Sequence, residues 1–396
     1  MDFSKRNDTI YIDTEALSTL SLIQEGLLYP VDKLMNEKEA KKVDETKQYK
    51  GLPFPFSFIL SPSGKKNEEH IKNLKKGDRA ILINNGKDVG YIIVDDVFKI
   101  DRDKRLRTIY GTCDTSIPIV ARAKSRMGEW AVSGEYKVIY PQTSQIKKYV
   151  KEKIKELGVK NIAGLMLGAN PLTRAHEKLI REAINDNELL IIFLTKPFTN
   201  DGLKYSIRKK SLEIFVKNFL PANRVLIVPF ENSYIFAGYN ELILDALVAK
   251  NFGCNKLIVG RNHRALGAIY DEDKMNTIFD TFKNIDIEID LKDEFVYCDI
   301  CRTLVTTRTC PHGTHHHIHY HYKSILELIT KGILPPTILV RKEVSASIMS
   351  HLYPNRFENL QETYEMLFPS SGLLEDKTEE EFYIQLMKLY QTSSLT

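Results

Sequence analysis

The residues that could do chemistry concentrate first in Gly164-Leu-Met-Leu-Gly-Ala-Asn-Pro-Leu-Thr-Arg-Ala-His-Glu177. The apolar run Ile162 to Leu167 predicts a buried strand. Gly168, Ala169 and Asn170 predict a tight turn, and Pro171 a first helical residue, with its fixed φ and no N–H to leave unpaired. The helix should continue through Leu172, Ala175, Leu179, Ile180 and Ala183, which recur at helical spacing. Such a strand, turn and helix N-terminus form an anion site, because free backbone N–H groups and the positive dipole end converge there. Thr173 and His176 stand three apart, so a hydroxyl and an imidazole share the first turn and can both face a phosphate. The plainer reading of the same residues is an α/β crossover in which His176 caps or packs.

A second constellation, Gly260-Arg-Asn-His263, follows the short apolar run Lys256 to Val259. Gly260 would let backbone approach a phosphate, Arg261 would neutralise it, and His263 would donate to it. The third is Cys298-x-x-Cys301, then Cys310-Pro-His-Gly-Thr-His315. Cys-x-x-Cys bends round one metal ion and a second pair completes a tetrahedron, so zinc is expected. Either His312 or His315 can be the fourth ligand, and the spacing of His315 is the more comfortable. Four such ligands leave no open position, so the zinc would be structural. The run His315-His-His-Ile-His-Tyr-His321 offers a second, weaker metal reading, and its alternation from His317 suits a strand with imidazoles on one face.

The chain has 396 residues, enough for two or three domains with a sizeable core. Its 56 basic and 52 acidic residues balance too closely to imply nucleic-acid binding. No apolar run is long enough to span a membrane, and Met-Asp-Phe-Ser-Lys-Arg-Asn-Asp at the start has no apolar signal region, so a cytoplasmic protein is expected. Residues 1–150 form a first, mainly β unit. Helices are expected at Ala16–Gly26 and Asn36–Glu45, and β runs at Phe54–Leu60, Arg79–Asn84, Val89–Val97 and Arg107–Thr112. A charged helix, Lys147–Leu157, leads into residues 151–335. There strand candidates Ile162–Leu167, Leu189–Leu194, Arg224–Val228 and Lys256–Val259 alternate with helices near 172–185, 205–218 and 239–251. That alternation argues an α/β parallel sheet, with ligands outside the carboxyl ends of its strands. Residues 336–396, after Leu334-Pro-Pro-Thr337, read as a small helical domain.

The 164–177 stretch resembles the Gln-Thr-Arg-Asn-Pro-x-His-Arg-Ala-His-Glu signature of ATP sulfurylases (sulfate adenylyltransferases), which belong to the nucleotidyltransferases with a (His/Thr)-x-x-His motif. Gly260-Arg-Asn-His263 resembles their Gly-Arg-Asp-His, Gly111-Thr-Cys-Asp114 their Gly-Thr-x-Asp, and Leu52-Pro-Phe-Pro55 their Pro-rich strand start. Some bacterial members carry the same Cys-x-x-Cys and Thr-Cys-Pro-His pattern around a structural zinc. The resemblance implies a β-rich PUA-like N-terminal domain, a Rossmann-like (HUP-type) nucleotidyltransferase domain with the zinc site, and a small α-rich C-terminal domain. It implies that ATP, with magnesium, and a small oxyanion are the substrates. Attack of sulfate or a related oxyanion on the α-phosphate would release pyrophosphate. Thr173, His176, Arg261 and His263 would be catalytic. Gly168, Asn170, Pro171, Gly260 and Asn262 would bind nucleotide. A homo-oligomer is among the expectations; nucleic-acid and membrane partners are not.

The acceptor side departs from the family. Its sulfate-holding Gln and Arg align with Leu167 and Ala169, and its Met-Arg-Tyr-Ala-Gly-Pro-Arg-Glu with Tyr234-Ile-Phe-Ala-Gly-Tyr-Asn-Glu241, which has neither arginine. Arg174, Arg208, Arg264 and Lys323 are the candidate replacement cations; Arg174 and Arg264, with Leu167 and Ala169, would then face the acceptor. The alternatives are a different acceptor, such as an organic phosphonate or sulfonate, and a non-catalytic nucleotide- or metal-binding homologue.

Overall fold

The computed structural model describes residues 8–196, 202–231, 240–260, 284–369 and 375–391. The chain divides into two compact units, residues 1–164 with 228–290 and residues 165–227 with 291–396.

The N-terminal region is mixed β and α. Its strands are β1 (Thr9–Tyr11), β2 (Gln48–Tyr49), β3 (Leu52–Pro53), β4 (Leu60–Pro62), β5 (Arg79–Asn84), β6 (Lys87–Lys99) and β7 (Met127–Val138). A five-stranded sheet has the order β1-β5-β6-β7-β4, and β2 pairs with β3 alone. The long β6 and β7 run antiparallel with a register shift between Val94 and Asp96. They approach so closely at Gly134 that a Cβ there would meet the Ile93 carbonyl at 1.9 Å, which only glycine permits. Helices α1 (Thr14–Gln24), α2 (Glu37–Thr46), α3 (Lys65–Asn73), α4 (Arg102–Tyr110), α5 (Pro118–Arg126) and α6 (Pro141–Leu157) complete it. Leu17, Leu20, Leu34, Ile71, Leu82, Ile92 and Val132 join one buried cluster.

Two expectations are corrected here. The run Arg107–Thr112 is not a strand; most of it lies in α4. The Asp101 carboxylate accepts the Lys104 N–H at 3.0 Å and Gly111 closes the helix in the left-handed conformation. The buried Leu106, Ile109 and Tyr110 follow the i, i+3, i+4 spacing of a helix face. The run Phe54–Leu60 contributes to a strand only at its last residue.

The second sheet has the order β10-β9-β8-β11-β12. Its strands are β8 (Ile162–Leu167), β9 (Leu189–Thr195), β10 (Val225–Phe230), β11 (Lys256–Gly260) and β12 (Glu288–Lys292). Helix α7 (Arg174–Asp186) connects β8 to β9, and α8 (Tyr205–Phe219) connects β9 to β10; parallel neighbours need such crossovers. Leu189 to Leu194 of β9 are all buried, as befits a strand covered on both faces. Helix α9 (Glu241–Asn251) precedes β11 and is buried on every side through Ala249. Asn255 fixes where β8 starts: its Oδ1 accepts the Ile162 N–H at 2.9 Å and its Nδ2 donates to the Lys160 carbonyl at 2.8 Å. A small antiparallel sheet, β14-β13-β15, follows, with β13 at Phe295–Cys298, β14 at Thr303–Thr306 and β15 at His317–Ile318. The expected C-terminal helices lie at Lys342–Leu352, Leu360–Leu367 and Glu379–Gln391. No helix among the described residues is long and apolar enough to cross a membrane.

Candidate functional site

The strand–turn–helix forms with β8 on the predicted bounds, but the helix starts later than Pro171. Pro171 and Leu172 are buried in the turn, and Thr173 is the N-cap of α7. The reason is a capping box. The Thr173 hydroxyl accepts the His176 N–H at 3.4 Å, and His176 Nδ1 accepts the Thr173 N–H at 3.1 Å. A glutamate or glutamine usually fills that third position, so proline position alone misplaced the start.

The cap decides the chemistry of His176. An Nδ1 that accepts an N–H carries no proton, so the neutral ring presents Nε2–H as a donor. Burial pushes its pKa down to about 4, which keeps the ring neutral near pH 7. Nε2 has no partner among the described residues. Thr173, by contrast, is buried with its hydroxyl committed to the cap, so it orients His176 and does not itself face outward. The helix N-terminus is less open than the motif suggests. The Arg174 N–H donates to the Leu339 carbonyl at 2.9 Å and that of His176 to Thr173, which leaves the Ala175 N–H without a partner among the described residues.

Helix α7 is held from behind by an ion-pair network that the sequence reading missed. Glu177 is buried and accepts three bonds from Arg341: Nε to Oε1 at 2.9 Å and to Oε2 at 3.1 Å, and Nη2 to Oε2 at 2.7 Å. Arg174 adds Nη1 to the same Oε2 at 3.0 Å, and its Nε donates to the Thr337 carbonyl. Arg174 is therefore a neutralised anchor, a correction to its candidacy as an acceptor-facing cation. The i, i+3 spacing of Arg174 and Glu177 was the signal for this pair.

Leu167, which ends β8, and Ala169 in the turn are 4% and 2% exposed, and Ala169 adopts a left-handed φ of 47°. Asn170 accepts the Leu203 N–H at 2.8 Å through Oδ1, and its carboxamide lies on Gly202. Gly168 is exposed, and its carbonyl accepts Arg208 Nη1 at 2.6 Å. Gly260 ends β11. Arg261, Asn262, His263 and Arg264 lie outside the described residues, as does the stretch from Tyr234 to Tyr239. Lys323 is solvent-exposed near the start of the helix Tyr322–Thr330.

The cysteine motif closes on one point. His312 Nδ1 stands 3.4, 3.3 and 3.5 Å from the sulfurs of Cys298, Cys301 and Cys310, and Cys301 Sγ is 3.9 Å from Cys310 Sγ. All four ligand atoms lie within 4.8 Å of one another. A tetrahedral zinc, with Zn–S about 2.3 Å and Zn–N about 2.0–2.1 Å, sets its ligand atoms roughly 3.5–3.8 Å apart. The donor set therefore fits the ion. The hairpin explains the placement: Cys298 ends β13, Arg302 turns in the left-handed region, and the Cys301 N–H points at Cys298 Sγ, 3.4 Å away. The histidine that joins the three sulfurs is His312. His315, favoured by spacing, instead folds over Gly313 and lies against His316, with 4.1 Å between ring centres and the rings tilted by 47°. The expected imidazole strand from His317 is only two residues long, and His319 and His321 lie beyond it.

A family model described as ATP-sulfurylase matches residues 142–351, and one described as a PUA-like domain matches residues 2–141. The sulfate adenylyltransferase of Chloroflexus aurantiacus is 27% identical over 344 residues, covering 84% of this chain and 88% of the relative. That of Synechococcus elongatus is 27% identical over 351 residues, covering 86% and 88%. That of Halothermothrix orenii is 29% identical over 350 residues, covering 85% and 90%. Among solved structures, the hexameric APS kinase from Thiobacillus denitrificans is similar with a TM-score of 0.64 at 17% identity, a likeness of fold. It covers 88% of this chain, and the chain spans 63% of the length of that protein.

Proposed function

This chain belongs to the ATP-sulfurylase family, and on that premise we propose that it is a nucleotidyltransferase that transfers the adenylyl group of ATP to sulfate or a related oxyanion. An acceptor oxygen attacks the α-phosphorus, the bond from that phosphorus to the bridging oxygen breaks, and pyrophosphate leaves with the electron pair. No side-chain nucleophile is needed, so the protein's part is positioning and charge stabilisation. ATP would enter with magnesium, which shields its phosphates.

The observation that carries this reading is the neutral His176 ring, locked by the Thr173 cap with Nε2–H as its remaining donor. A fixed donor at a helix N-terminus suits a phosphate oxygen that gains charge in the transition state. The Ala175 N–H adds a second donor from the same turn. Gly260, Arg261 and His263 would also bind phosphate; their part rests on the motif alone. Asn170 would shape the turn by holding Leu203. The Cys298, Cys301, Cys310 and His312 set would hold a structural zinc, with no part in the reaction.

One observation favours a second acceptor. Leu167 and Ala169 offer no side-chain donor where sulfate is held in the family, and they are buried. An organic phosphonate or sulfonate is the acceptor class for this reading. Pyrophosphate release from ATP with sulfate and with such anions tests both. His176→Gln should lower kcat about 10²–10³-fold, the usual loss of one preorganised donor. Unchanged turnover in a folded variant removes the role of His176. A sulfate kcat/KM of about 10⁴ M⁻¹s⁻¹ or more removes the altered-acceptor reading. No release with any acceptor would leave a non-catalytic homologue. Light scattering would test a homo-oligomer, which the hexameric fold relative suggests.

A further inference from the structure

Arg208 is left unused by that reaction scheme. It sits in the first turn of α8 and is 5% exposed. Nε donates to the Leu203 carbonyl at 3.1 Å, and Nη1 to the carbonyls of Gly168 at 2.6 Å and Thr195 at 3.0 Å. Thr195 is the last residue of β9, and Gly168 is the first after β8. The guanidinium is thus pinned at the carboxyl ends of two strands, where open α/β sheets bind their ligands. Its partners are carbonyl dipoles, which orient the charge without cancelling it. No carboxylate pairs with it among the described residues, and its Nη2 edge has no partner there. The Tyr205 hydroxyl, whose ring centre is 5.7 Å from the guanidinium carbon, is also buried without a partner. Burial lowers the Arg208 pKa, but a guanidinium stays cationic in a protein.

A structural staple would need only the three carbonyl bonds. It would not need a desolvated positive charge, which is costly without a counter-anion. A neutral glutamine or asparagine donates to carbonyls without that charge. The surplus is therefore what an anion would use.

We propose that Arg208 binds a tetrahedral oxyanion beside Gly168 through its Nη2 edge, with the Tyr205 hydroxyl as a second donor. The anion is the free acceptor or a phosphate of the nucleotide. This rests on the adenylyl-transfer reading for its choice of ligand, but its test is equilibrium binding and not turnover.

The test is calorimetric titration of the full chain at low ionic strength with two probes, sodium sulfate and magnesium α,β-methylene-ATP. Arg208→Gln should weaken at least one of them tenfold or more. Loss for sulfate alone identifies the acceptor; loss for the analogue alone identifies a nucleotide phosphate. The sulfate-induced or analogue-induced rise in Tm should vanish with it, whereas a staple would lower Tm equally with and without anion. If Arg208→Gln does not fold, Arg208→Lys decides. It keeps a cation but loses the planar second edge, and should bind several-fold more weakly. Binding of both probes within twofold of wild type in whichever variant decides, or no binding of either probe by wild type, overturns the proposal. A wild type that releases no pyrophosphate yet loses anion binding with Arg208→Gln refutes the sulfurylase reaction and keeps this site. Normal turnover with unaltered binding does the reverse.

Discussion

His176 and His312 lie in the same compact unit, and both turn Nδ1 inward, yet they are put to opposite uses. At His176 the inward nitrogen meets a backbone N–H, 3.1 Å away, so the ring is held neutral without any ligand. At His312 it meets three sulfurs at 3.3–3.5 Å, which have no proton to share once ionised. A bound zinc ion would suit that arrangement. One pocket is preorganised by the chain and offers a spare donor outward. The other gathers four ligand atoms round one point, as a metal site would. The lesson is that a histidine's role follows from what its first nitrogen is given, and not from its place in a motif.

The largest effect that would break this comparison is at the thiols. Elemental analysis should find one zinc per chain, and chelation should lower Tm by more than about 5 °C, because structural zinc contributes directly to folding. His312→Ala should lose the metal and His315→Ala should keep it. Metal-free protein with an unaltered melting curve would refute the assignment. The corresponding support of His176 is purely protein. Glu177→Ala leaves Arg341 and Arg174 without their shared carboxylate and should cost about 3 kcal/mol in urea unfolding, with zinc content unchanged. A loss below about 0.5 kcal/mol would mean that α7 is not anchored there.

Acid separates the two rings further. The unfolded His176 takes up a proton near pH 6.5, but the folded ring resists until about 4. Across that window the unfolded state binds more protons. Stability from this group is therefore full above pH 6.5 and is lost as pH falls towards 4, by on the order of 3 kcal/mol. Unfolding of wild type and His176→Gln compared between pH 7 and 4 should show the slope flatten in the variant; parallel curves would contradict a depressed pKa. Loss of zinc at acid pH would also destabilise, but both proteins would share it. The smallest effect is at Thr173. Thr173→Ala removes one hydroxyl from the capping box and should cost about 1 kcal/mol. Turnover should fall too, since the ring loses part of its positioning, while metal content stays constant.

Much of this was legible beforehand because local patterns decided it. The β8 bounds, the alternation of strands and helices from 162 to 260, and the three cysteine ligands all follow from apolar periodicity or from spacing around an ion. The misreadings share a cause. Arg107–Thr112 carries apolar residues that suit either period, and only the Asp101 cap and the Gly111 stop choose helix. His315 has a spacing that a tetrahedral site accepts, but it is His312 whose ring nitrogen lies with the three sulfurs. Arg174 resembles an exposed cation until Glu177, three residues on, accepts from it and the Thr337 carbonyl, more than 160 residues away, takes its Nε–H.

The amino-acid sequence by itself determined the family, the order of elements and the donor chemistry, because each depends on residue type within one or two turns of chain. The tertiary structure alone decided which groups remain free to act. It committed Thr173 to a cap, neutralised Arg174, chose His312 over His315, and buried Arg208 against the carbonyls of Gly168, Thr195 and Leu203. The physical reason is that a polar group's availability depends on its hydrogen-bond and charge partners. Several of those partners, Arg341 for Glu177 and Gly168 for Arg208 among them, come from segments that only the fold brings together.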